Sequence, residues 1–62
     1  MKIFFDYEKD TKNTVRFSER EAGPTQHSEH PGYNVVGTLY VNKAAHVALG
    51  SPQHLVVDVQ AS

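Results

Sequence analysis

The chain contains no cysteine. That absence removes disulfides and thiolate metal sites as ways for it to hold itself together. It also lacks an excess of charge of either sign: 6 Lys and Arg against 7 Asp and Glu leave a net charge of −1. A generic nucleic-acid binder shows a basic surplus, so only a local basic patch would serve such a role. No apolar run approaches the length needed to cross a bilayer. Asp6 interrupts the opening apolar residues Ile3, Phe4 and Phe5 too early for a signal peptide. The expected location is cytoplasmic, with no membrane partner.

The length is 62 residues, enough for a single domain spanning the whole chain. A domain of this size buries only roughly 60% of the surface that its unfolded chain exposes. Small domains compensate with disulfides, a metal or a partner subunit. With disulfides excluded, a homo-oligomer is the first expectation.

Hydrophobic periodicity gives a mainly β reading. Ile3, Phe5 and Tyr7 alternate with Phe4, Asp6 and Glu8, and Val15 and Phe17 alternate with Thr14, Arg16 and Ser18. Both are period-two patterns. The polar stretch Lys9-Asp10-Thr11-Lys12-Asn13 between them is rich in turn formers. Residues 2–19 are therefore predicted to form a β-hairpin with a charged tip. Residues 20–34 hold two glycines, two prolines and two histidines and almost nothing apolar. They read as a long surface loop, of the kind that is often functional or disordered.

A third strand is predicted over residues 35–41, with Gly37 inside it as a bulge or a point of close backbone approach. Asn42 suits a helix N-cap and Gly50 a left-handed terminator. Ala45, Ala48 and Leu49 then form the apolar stripe of a two-turn helix. A fourth strand is predicted over residues 55–60. The expected fold is a four-stranded antiparallel sheet with one short α-helix, in the order ββ-loop-βαβ.

The predicted inward set is Ile3, Phe5, Tyr7, Val15, Phe17, Val35, Leu39, Val41, Leu49, Leu55, Val57 and Val59. The opposite face is not cleanly polar, because it carries Phe4, Val36, Tyr40 and Val56. One short helix covers only one face of such a sheet. The second apolar set therefore suggests burial against another copy.

Catalytic signals are thin. No cysteine nucleophile exists, and Ser18, Ser28, Ser51 and Ser62 stand in no nucleophile motif. Asp6 and Glu8, two residues apart on one strand face, could form a carboxylate pair for acid–base work. The plainer reading is the solvated edge of a hairpin. His27, Glu29 and His30 have ligand chemistry for zinc or nickel. A structural site wants four ligands, which His46 and His54 would have to complete, so a polar loop is the simpler account. No metal and no cofactor is expected.

An anion site is the more specific candidate. Lys9, Lys12, Arg16, Arg20 and Lys43 are five of the six basic residues; Arg16, Lys12 and Lys43 would supply the positive charge of the site, and Tyr40 and Tyr33 would supply stacking surfaces. The amides of residues 42–44 would face a phosphate from a helix N-terminus. The competing account of Arg16 is a cross-strand ion pair to Asp6 or Glu8. Other basic residues would pair with Asp10, Glu19 and Glu21 as ordinary surface charges. Phosphate-loop and dinucleotide fingerprints are absent.

The segment Thr38-Leu39-Tyr40-Val41-Asn42-Lys43, then Ala48-Leu49-Gly50, then Leu55-Val56-Val57-Asp58-Val59 resembles the half-repeat of AbrB-type swapped-hairpin transcription factors. Asn42 stands where that family has proline, and Pro52-Gln53-His54 replaces its Pro-Gly-Asp turn. The resemblance implies a dimer that binds DNA and transfers no DNA-contacting residue. The whole chain also resembles short proteins of bacteria and their phages. These carry a Thr-Lys-Asn-Thr-Val-Arg hairpin (here residues 11–16), a Gly-Thr-Leu-Tyr-Val strand (37–41) and a Leu-Gly-x-Pro turn (49–52). That likeness implies a phage-borne role. The expectation is a non-enzymatic, homo-oligomeric binding module. Its target would be a host defence protein or a small anionic ligand such as a signalling nucleotide. An AbrB-like DNA-binding regulator is the alternative.

Overall fold

A computed structural model of the protein describes residues 1–20 and 34–62. The predicted metal ligands His27, Glu29 and His30, and Tyr33 of the predicted anion site, lie outside the described residues. The elements are strands β1 (Lys2–Asp10), β2 (Thr14–Glu19) and β3 (Thr38–Asn42), helix α1 (Lys43–Ala48) and strand β4 (His54–Asp58). They build one antiparallel sheet in the order β3-β2-β1-β4. The mainly β architecture with one short helix is thus as expected. No helix among the described residues is long and apolar enough to cross a membrane.

The hairpin forms because both of its strands alternate and its tip closes on itself. Thr11 N–H donates to the Thr14 carbonyl at 2.8 Å. The ladder slips between Tyr7 and Lys9, so that Tyr7 faces Phe17 while Lys9 faces Arg16. Glu8 is the extra residue of this bulge. A bulge of this kind re-aims a side chain and increases local twist.

The core lies on one face of the sheet. Ile3, Phe5, Val15 and Phe17 are buried, with Val35, Leu39, Val41, Leu55 and Val57 packed against them. Three members of the predicted inward set belong elsewhere. Tyr7 sits at the rim, edge-on to Phe17 with ring centres 6.2 Å apart, and its hydroxyl donates to Asp10 at 2.9 Å. That carboxylate beside the phenol raises its pKa. Val59 lies past the end of β4 and is exposed. Leu49 is 62% exposed, whereas His46 on the same helix is only 9% exposed.

His46 therefore fills the place that the apolar stripe assigned to Leu49. Its ring lies 5.7 Å from that of Phe17, and Nε2 donates to the Pro52 carbonyl at 2.8 Å. The hydrogen bond satisfies the polar end of the ring while its carbon edge packs on the core, which is how a histidine can be buried without large cost. The helix ends as expected. Gly50 has φ +92° and Ser51 follows at φ 52°, so the chain turns back through the left-handed region that glycine enters freely.

Two strand limits differ from expectation. Gly37 precedes β3 instead of sitting within it, with φ +89° and nothing within 4 Å of where a Cβ would lie. Its role is conformational, and no neighbour occupies the space a side chain would take. β4 runs over His54–Asp58, starting one residue early and stopping two early.

Glu19 is the main surprise of the interior. Its carboxylate accepts the backbone N–H groups of Val35 at 2.9 Å, Val36 at 2.7 Å and Gly37 at 2.8 Å. Glu19 is buried and is not an ordinary surface charge. It holds the chain where it enters β3. A backbone bond from Glu19 N–H to the Gly37 carbonyl at 2.9 Å completes the clamp.

Candidate functional site

The face of the sheet away from the core is built by the residues that alternate with it. Strand register sets them in rows. One row runs Thr38, Ser18, Asp6, His54 across all four strands, and the next places Tyr40 beside Arg16 and Lys9. Phe4 and Val56 form a further cross-strand pair. The second apolar set is therefore not a continuous patch. Tyr40 on β3 and Val56 on β4 lie at opposite edges, 57% and 59% exposed, with charged groups between them.

Those charged groups form two clusters. In the first, the Arg20 guanidinium forks onto Asp6, Nη2 to Oδ1 at 2.6 Å and Nε to Oδ2 at 3.1 Å. His54 Nδ1 meets Asp6 Oδ1 at 2.8 Å from the other side. The Arg20 hydrogen bonds, with His54 assisting, outweigh partial burial and hold the Asp6 pKa at about 2. Arg20 is correspondingly raised above the usual arginine value. Its guanidinium carbon lies 5.4 Å from the centre of the Phe4 ring, within the range of a cation–π contact.

In the second cluster Arg16 Nε lies 3.3 Å from Glu8 Oε1. It is enclosed there without the alignment of a hydrogen bond. The Ser18 hydroxyl donates to the same Glu8 oxygen. The Arg16 guanidinium carbon is 6.0 Å from the centre of the Tyr40 ring. The bulge in β1 is what brings Glu8 over β2 to do this.

Asp6 and Glu8 thus serve different arginines and are not an acid–base pair. A carboxyl held at about 2 gives up its proton far below neutrality and takes one back poorly. The predicted anion-binding residues are partly brought together. Arg16 and Tyr40 are cross-strand neighbours. The hairpin tip meets the start of α1 next to Lys12, because Lys43 N–H donates to the Asn13 carbonyl at 3.2 Å. Thr14 pairs with Asn42 between this contact and the Arg16–Tyr40 pair.

Two of the three expected free helix amides, those of Lys43 and Ala44, are already committed. The Lys43 N–H is spent on Asn13, and Ala44 N–H donates to Asn42 Oδ1 at 2.8 Å. Asn42 caps the helix as predicted, and in doing so removes the phosphate cradle that the same residues suggested. His46 and His54 are also committed, to Pro52 and Asp6. Among the described residues no group of three or more metal-ligating side chains converges.

An open groove of about 380 Å³ lies beside the first cluster, lined by Phe4, Arg20, His54, Leu55 and Val56. Sequence reasoning named His54 as a possible metal ligand and Arg20 as one of several basic residues, but placed neither beside Asp6. The cue was weak: Asp6 and His54 become neighbours only through the β1–β4 register, and nothing local in the chain announces it. Comparison with protein-family models, with curated proteins and with solved structures returns no match.

Proposed function

We propose that this chain is a non-enzymatic binding module and that the outward face of its sheet recognises a protein partner. One observation carries the reading: both arginines of that face are already neutralised by carboxylates of the same chain, Arg16 by Glu8 and Arg20 by Asp6. A site for a small anion would keep its guanidinium uncompensated. Here charge is balanced, and Phe4, Tyr40 and Val56 supply apolar and aromatic area around it. Aromatic and arginine side chains with their charge satisfied are the usual anchors of protein interfaces. The resemblance to short proteins of bacteria and phages makes a bacterial host protein, such as a defence factor, the natural target.

The test is capture from a bacterial lysate by the intact protein and by its Tyr40→Ala and Arg16→Ala variants, each checked for an unchanged melting temperature. A partner held by the parent and lost by both folded variants supports this face. A partner held equally by all three places recognition elsewhere.

A second reading, sequestration of a small anionic ligand such as a signalling nucleotide, draws support from the Lys43–Asn13 bond that sets the Lys12 tip beside the start of α1. Calorimetric titration with cyclic dinucleotides separates it from the first. An AbrB-like DNA role has less support, since a net charge of −1 gives little counterion release on binding a duplex.

A further inference from the structure

The outer edges of the sheet are β3 and β4, and hydrogen bonding fixes which backbone groups each edge leaves over. Tyr7 N–H donates to the Gln53 carbonyl and Val59 N–H to the Met1 carbonyl, both at 2.8 Å. In an antiparallel ladder hydrogen-bonded pairs alternate with unbonded ones. The odd-numbered residues of β4 therefore turn their N–H and C=O groups toward β1. Those of His54, Val56 and Asp58 point away from the sheet, and no described strand meets them.

Three features of this edge suit one occupant. The segment His54-Leu55-Val56-Val57-Asp58 is pseudo-symmetric about Val56, with apolar residues inside and ionisable groups of opposite sign at its ends. It lacks lysine, proline and a bulge, the usual devices that blunt an edge strand. Val56 is exposed although apolar. We propose that β4 pairs antiparallel with β4 of a second copy about a two-fold axis at Val56, joining two sheets into one of eight strands. In this register Val56 faces Val56 of the second copy, and His54 faces Asp58 of the second copy on each side of the axis. All three are hydrogen-bonded pairs, because all use outward-pointing groups. Leu55 and Val57 of the two copies meet on the core side as the closer, unbonded pairs, which extends the core across the axis.

Charge complementarity selects β4 over β3. The same alternation leaves Thr38, Tyr40 and Asn42 outward on β3, but their self-pairing brings no opposite charges together. On β4, His54 spends Nδ1 on Asp6 of β1, which also carries the fork from Arg20. Its Nε2 remains to meet Asp58 of the second copy, a carboxylate that also accepts from its own chain's Met1 ammonium at 3.1 Å and Gln60 Nε2 at 3.0 Å. The interface is small, as an edge-on strand pairing must be, and the dimer is accordingly weak. It draws Val56 of the outward face into the seam but leaves Arg16 and Tyr40 of both copies open.

The test is amide hydrogen exchange read by NMR, with sedimentation velocity, from roughly 10 µM to 1 mM protein, a range chosen for a small interface. Expected are a dimer at the upper end and at least tenfold slower exchange at Val56 as it forms, with no change at Tyr40. Val56→Pro removes the central outward N–H but no bond to β1, a position where an edge strand accepts proline. It should be folded and monomeric throughout. A monomer at 1 mM overturns the proposal. So does protection of the Val56 amide at all concentrations, protection at Tyr40 instead, or a dimer indifferent to Val56→Pro.

Discussion

The Glu19 carboxylate accepts the backbone N–H of Val36 at 2.7 Å, seventeen residues further along the chain. With the bonds to Val35 and Gly37, this one side chain fixes where the chain returns to the sheet. Hydrogen bonds to an ionised acceptor each contribute more than neutral ones, and leaving the amides unmet has its own cost. Glu19→Ala is expected to destabilise the fold by about 2–4 kcal/mol. Glu19→Gln should fall between, since the amide keeps one acceptor oxygen and turns an NH2 toward the remaining N–H. Urea unfolding followed by circular dichroism measures both.

The Asp6–Arg20 fork makes stability depend on acid. Asp6 has a folded pKa of about 2 against 3.8 for the free side chain. The unfolded chain therefore takes up a proton at a higher pH than the folded one. The stabilisation is complete above about pH 5 and is lost as pH falls through 4 toward 2. Both groups are partly exposed, so solvent screening reduces the effect to about 1 kcal/mol or less. Asp6→Asn should flatten that part of the pH profile. An unaltered profile between pH 2 and 5 would show that the fork contributes nothing.

His46 and Leu49 exchange the roles that their chemistry suggests. His46→Ala removes both the packing on Phe17 and the bond to Pro52, and is expected to cost about 2 kcal/mol. Leu49→Ala on the exposed side should change stability by less than about 0.5 kcal/mol. Comparable losses from the two variants would contradict the orientation of α1.

The contrast explains how much was legible in the sequence. Long-range order was readable wherever an alternating pattern ran uninterrupted: Ile3 and Phe5, Val15 and Phe17, Leu39 and Val41 all lie where period two puts them. The capping chemistry at Asn42 and Gly50 was readable because it is local. Features that depend on register were not. Glu8 reaches Arg16 only because of a bulge that no residue type announces, and His54 reaches Asp6 only because β4 pairs with β1. The helix misled because an amphipathic stripe is read from hydrophobicity alone. A six-residue helix has one inward position in its middle turn, and a histidine fills it by donating its ring N–H to a carbonyl in the following turn.

Variants at Arg16 and Glu8 separate the structural and recognition accounts of Arg16. If the Arg16–Glu8 contact is chiefly structural, Arg16→Ala should lower stability measurably and Glu8→Gln should do the same. If Arg16 belongs to a recognition surface, the pair is a partly exposed one without an aligned hydrogen bond, worth about 1 kcal/mol or less. The expected result is the second: both variants melt close to the parent. Their effects on binding should then diverge. Arg16→Ala removes a guanidinium set against Tyr40 and should weaken a protein partner by about tenfold or more, as loss of an interface arginine does. Arg16→Lys should not restore it, because an ammonium lacks the planar fork. Glu8→Gln leaves the guanidinium in place but uncompensated. It should spare the protein partner while raising affinity for phosphate-bearing ligands, which the parent's balanced charge holds down. Titration of the parent and the three variants with a captured partner and with a cyclic dinucleotide reads all of these outcomes. Tight dinucleotide binding by the parent, abolished in Arg16→Ala, would reverse the order of the two functional readings.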